Sequence, residues 1–71
     1  MATSVVIFGK DACPYTIAAR EDYERRGMTV EYVNVKANAA DLDRMLTFSG
    51  GRRRVPVIVD RGKVTVGFGG T

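Results

Sequence analysis

Ser4-Val5-Val6-Ile7-Phe8, Gly9-Lys10-Asp11-Ala12 and Cys13-Pro14-Tyr15-Thr16 follow one another without interruption, and this stretch decides the fold. The first segment is a continuous β-branched and aromatic run, which suits a central strand covered on both faces. Gly9-Lys10-Asp11-Ala12 breaks it. Pro14 then fits a first helical turn, where its missing N–H costs nothing. The cysteine therefore falls between a strand–loop and a proline-initiated helix.

Working outward, the residues from Tyr15 to Arg26 contain no glycine or further proline, and Gly27 is placed to close a helix. Its apolar stripe (Ile17, Ala18, Ala19, Tyr23) is thin against a wide polar face. Thr29 to Val35 alternates enough for a second strand. Asn38, with Asp41 three residues on, predicts a second helix start with an acidic first turn. Leu42, Met45 and Leu46 supply its apolar face, and Gly50-Gly51 stops it. Val57-Ile58-Val59 and Val64-Thr65-Val66 flank Asp60-Arg61-Gly62-Lys63, a hairpin signature. The predicted order is β-α-β-α-β-β, an α/β fold whose first two strands are parallel with a right-handed crossover. A single domain over residues 1–71 accounts for the whole sequence, and Gly67 to Thr71 reads as a flexible or ligand-wrapping tail.

Composition narrows the chemistry. With 71 residues the chain sits near the lower limit for a self-sufficient core. The net charge of +3 is modest, and the one basic cluster, Arg52-Arg53-Arg54, is too local for a nucleic-acid interface. No apolar run reaches transmembrane length, and Val5–Phe8 is too short for a signal peptide core, so a cytoplasmic location without membrane attachment is expected. A single cysteine excludes an internal disulfide framework. The lack of histidine removes both imidazole-based catalysis and the commonest metal ligand, and no metal site is expected. Any nucleophile must be activated by other means. At a helix N-terminus, unsatisfied N–H groups and the positive end of the macrodipole lower the pKa of a thiol, and Lys10 adds positive charge nearby.

Lys10-Asp11-Ala12-Cys13-Pro14-Tyr15-Thr16 resembles the active-site segment of glutaredoxins, Lys-x-x-Cys-Pro-Tyr-Cys. Val55-Pro56 is similar to the family's Thr-Val-Pro, and Gly69-Gly70 to its downstream Gly-Gly. The resemblance covers essentially the whole chain and implies a minimal thioredoxin/glutaredoxin-like fold. More narrowly, Cys-Pro-Tyr-Thr with a Gly-Phe-Gly-Gly-Thr ending is similar to small glutaredoxin-like bacterial selenoproteins. Selenocysteine can stand there at the position equivalent to Cys13, and the codon at position 13 distinguishes a natural cysteine from a replacement.

The resemblance implies a thiol–disulfide oxidoreductase with Cys13 as nucleophile. Pro14, Lys10 and the Thr16 hydroxyl would support its thiolate. Glutathione, a co-substrate rather than a tightly bound cofactor, would lie against Lys10, Tyr15, Val55, Pro56, Gly69 and Gly70. The Val55-Pro56 peptide would be cis, presenting the Val55 backbone to an extended peptide. One of Arg52, Arg53 or Arg54 would join Lys10 at a glutathione carboxylate, although Arg54 replaces the family's threonine. Thr16 stands where dithiol relatives have their second cysteine, which leaves a monothiol cycle on glutathione or on a protein mixed disulfide.

Glutaredoxins usually continue into another helix after Gly-Gly. This sequence stops before such a helix, so part of the sheet face that also carries the first helix is expected to be bare, which predicts a homodimer or a docked partner. The alternatives are a thiol- or selenol-dependent peroxidase, and an iron–sulfur-binding or partner-binding redox module. Tyr15-Thr16 departs from the Gly-Phe-Ser pattern of cluster-carrying monothiol relatives.

Overall fold

The computed structural model describes residues 4–52 and 55–68. The elements run β1 (Ser4–Gly9), α1 (Pro14–Arg25), β2 (Thr29–Asn34), α2 (Ala39–Ser49), β3 (Val57–Asp60) and β4 (Lys63–Val66). They form one four-stranded mixed sheet in the order β2-β1-β3-β4. β1 pairs parallel with β2 and antiparallel with β3, and β4 closes the sheet antiparallel to β3. This is the α/β architecture expected from the residue pattern. β1 takes the interior position because its run can be covered on both faces.

Alternate residues of β1 feed two cores. Val5 and Ile7 pack with Ala19 of α1 and Ile58 of β3, flanked by Tyr23, Met28, Val30 and Phe68. Phe8 packs oppositely with Val35, Met45 of α2 and Val57, flanked by Val6, Val33, Leu42 and Leu46. The two helices therefore cover opposite faces of the sheet.

Local signals set the element ends. Asn38 caps α2, its side-chain oxygen accepting from the Ala40 N–H at 2.8 Å. Gly50 ends the helix in the left-handed region at φ 71°. The hairpin turns on Arg61 and Gly62, both at positive φ (50° and 82°), as a two-residue turn between right-twisted strands requires.

The stripe expected on α1 is corrected in part. Ala19 is buried and Tyr23 packs on the core, but Ile17 and Ala18 are exposed. With Pro14 and Phe68 they line an open pocket of about 490 Å³ on the α1 side. The buried first-turn residue is Thr16, which hydropathy alone places outside. β2 also ends at Asn34, one residue short of the expected Val35.

Candidate active site

Parallel pairing aligns the carboxyl ends of β1 and β2, with Gly9 beside Asn34. Ligand sites of α/β sheets collect at such ends. From Gly9 the chain turns sharply, the Cys13 N–H donating to the Lys10 carbonyl at 3.3 Å. Cys13 is then the N-cap of α1, in extended backbone at φ −86° and ψ 115°, with Pro14 following in the first turn. Its carbonyl accepts the first helical bond from the Ile17 N–H at 3.1 Å. No side chain caps this helix, and its first turn has no acidic residue. The N-terminal donors are left for the sulfur.

Cys13 is half-buried in a cleft of about 510 Å³ lined by Lys10, Asp11, Pro14, Tyr15, Asn34 and Lys36. Burial pushes its thiol up, but four influences outweigh it. These are the Thr16 hydroxyl, the backbone N–H groups of Thr16 and Tyr15, and the Lys10 charge, and together they bring the thiol below its ordinary range. The Thr16 hydroxyl is fully buried and has no hydrogen-bond partner of full geometry within the fold. It is a donor held ready for the thiolate, a far better acceptor than the neutral thiol. Gly9 makes room for it, since a Cβ on Gly9 would overlap the Thr16 side chain.

The expected site residues are brought together unevenly. Lys10, Pro14, Tyr15 and Thr16 surround Cys13, with Tyr15 exposed at the cleft. Val55 lines an adjoining pocket of about 380 Å³ with Lys10, Lys36, Leu42 and Met45, so Lys10 and Lys36 border both spaces. The Val55–Pro56 peptide is cis. Pro56 is buried, and its carbonyl accepts from the Gly67 N–H at 2.7 Å. Arg52 is exposed and uses its carbonyl to accept from Ser49 Oγ. Arg53, Arg54, Gly69 and Gly70 lie outside the described residues. Among the described residues, no cluster of three or more acidic, cysteine or histidine side chains is arranged to hold a metal.

Sequence reasoning missed four side chains at or bordering the cleft. Asp11 accepts from the Tyr32 hydroxyl at 2.7 Å and from the Asn34 side-chain amide at 3.1 Å. Lys36 reaches the same space from the loop after β2. The available signal was topological: Asp11 sits just past the end of β1 and Asn34 ends the strand parallel to it, so the two had to meet.

A glutaredoxin family model matches residues 5–65. The chain belongs to the glutaredoxin family. Its fold is similar to that of the glutaredoxin from Archaeoglobus fulgidus, with a TM-score of 0.80 and 22% identity over 94% of this chain and 77% of that one. It is equally similar to a mutant of the thioredoxin-like protein BC3987, with a TM-score of 0.80 and 25% identity over 92% of this chain and 86% of that one. No curated protein matches its sequence. Family membership carries a general thiol-redox function. Among the described residues, no helix is long and apolar enough to cross a membrane.

Proposed function

We propose that this glutaredoxin is a monothiol oxidoreductase that removes glutathione from mixed disulfides. The observation that carries the reading is the position of Cys13 at an otherwise uncapped helix N-terminus, with Thr16 where a resolving cysteine would stand; the Thr16 hydroxyl, the nearby backbone N–H groups and Lys10 lower its thiol from the ordinary range. The Cys13 thiolate attacks the glutathione sulfur of a mixed disulfide. The protein–glutathione S–S bond breaks, a Cys13–glutathione disulfide forms, and the substrate leaves as a thiolate that takes a proton from water. A second glutathione thiolate then attacks the glutathione sulfur of this adduct. Oxidised glutathione leaves, and the Cys13 thiolate returns. The electrons come from glutathione, so the cycle closes without a second cysteine in the chain.

Lys10 has two roles: its charge favours the thiolate, and it faces the carboxylate of an arriving glutathione. Tyr15 covers the bound peptide, and the Val55 backbone beside Pro56 pairs with it as an added strand. Gly69 and Gly70 complete the ligand site in this reading. A reducing cytoplasm, where glutathione keeps thiols reduced, is the matching compartment.

Turnover of a glutathionylated peptide by wild type and Cys13→Ser tests the cycle, with activity abolished in the variant. The pH profile of Cys13 alkylation by iodoacetamide tests its first step. A lowered pKa enlarges the thiolate fraction at neutral pH, so the inflection is expected below the free-thiol value of about 8.5. An inflection at or above that value refutes the acidified-thiolate mechanism.

A further inference from the structure

The Tyr32–Asp11–Asn34 contact borders the Cys13 cleft, and the cycle above gives it no role. Asp11 is two residues from Cys13, lines the same cleft, and brings a negative charge to a site that must favour an anion. Both its carboxylate oxygens are engaged on the β2 side, Oδ1 by the Tyr32 hydroxyl and Oδ2 by the Asn34 amide. Each donor is itself held. The Arg20 guanidinium of α1 lies 4.1 Å from the centre of the Tyr32 ring, and Asn34 Oδ1 accepts from the Lys36 N–H at 2.9 Å.

We propose that Tyr32 and Asn34 are positioning residues that hold the Asp11 carboxylate on the β2 side of the cleft, away from the Cys13 sulfur. The short loop can then bring Lys10 to the thiolate without bringing the adjacent negative charge with it. The proposal deepens the thiolate mechanism above, and it rests on Cys13 reacting as an anion.

Lys10 adds its charge to the groups that favour the Cys13 thiolate, while both Asp11 oxygens are turned to donors on β2. Tyr32 is held in its neutral, donating form. Burial, then the hydrogen bond and charge of Asp11, with a contribution from Cys13, raise its pKa to about 12 against the opposing pull of Arg20. The clamp therefore keeps its donor throughout the range in which the thiol titrates. The charged or titratable groups described around this corner are Lys10 and Asp11 of the loop, Tyr15 and Arg20 of α1, Tyr32 of β2, and Lys36 after it.

Iodoacetamide alkylation reads the acidity of Cys13, the chain's one cysteine, without glutathione or a disulfide substrate. It therefore separates failure of the clamp from failure of the catalytic cycle. Tyr32→Phe frees one carboxylate oxygen and is expected to slow alkylation about threefold at pH 6, an upward shift of about half a pH unit. Asp11→Asn removes the charge and leaves the inflection at or below that of wild type. The double variant then matches Asp11→Asn, because nothing charged remains to be misplaced. Two results overturn the proposal: a Tyr32→Phe profile identical to wild type, or a shift that persists in the Asp11→Asn background. If Tyr32→Phe does not fold, Asn34→Ala with and without Asp11→Asn makes the same comparison, read by the same two outcomes.

Discussion

The two helices of this protein are built to opposite specifications. α2 follows the ordinary rules: an asparagine cap, Asp41 in its first turn, a buried Met45 flanked by Leu42 and Leu46, and a left-handed glycine at its end. α1 has a cysteine for a cap, no acidic residue in its first turn, and only Thr16 and Ala19 fully buried along its length. An acidic or hydroxyl side chain at position 13 would satisfy the N-terminal donors of α1 and add stability. The donors are instead left to a sulfur that holds them well only after it has lost its proton. The difference teaches that local stability has been withheld at one helix end, the end to which the proposed chemistry is assigned.

The largest expected effect is on α2. Met45→Ala opens a cavity in the Phe8–Val35–Val57 cluster and should cost about 3 kcal/mol in urea unfolding, a severe loss for so small a domain. No α1 residue beyond Ala19 joins the buried cluster on its side of the sheet. Caps come next, and here the two helices should respond with opposite signs. Asn38→Ala should lose about 1 kcal/mol, whereas Cys13→Ser should gain up to about 1 kcal/mol while abolishing turnover. Equal signs would break the contrast.

The smallest effect is expected at Thr16→Val, which keeps the shape and removes the buried hydroxyl. The Cys13 inflection should rise by about half a unit, while stability near pH 6 stays level or increases because an unsatisfied polar group is gone. The sign with pH follows from the lowered thiol. Stability gained from a depressed pKa is present above the ordinary thiol range and is lost as pH falls through the folded value. Wild type should therefore gain on the valine variant as pH rises from 6 to 9.

Most of the scaffold was legible because its signals are local. The β-branched run of β1, the Asn38 and Gly50 caps and the Arg61-Gly62 turn each name their own structure. Cys13 and Lys10 were legible for the same reason, lying within one strand–loop–helix junction. Thr16 was less so: it was read as a thiolate donor, but its complete burial depends on Gly9, which no hydropathy pattern reports. The Asp11–Tyr32–Asn34 contact was missed because it joins residues separated by 21 and 23 positions, and only the strand pairing brings them together. Ile17 and Ala18 were misjudged because apolar spacing identifies a face without saying whether the sheet beneath reaches it.

The contact between Gly9 and Thr16 has a consequence for how this site can vary by mutation. A side chain at position 9 competes for the volume that position 16 already fills, so the two positions act as one inherited unit. Mutagenesis that randomises both and selects for redox activity should return paired solutions, glycine with a threonine-sized partner or a larger residue with a smaller one. Single enlargements at position 9 should be absent from the survivors. The identity of the residue three places after the cysteine is therefore constrained by the last residue of the preceding strand.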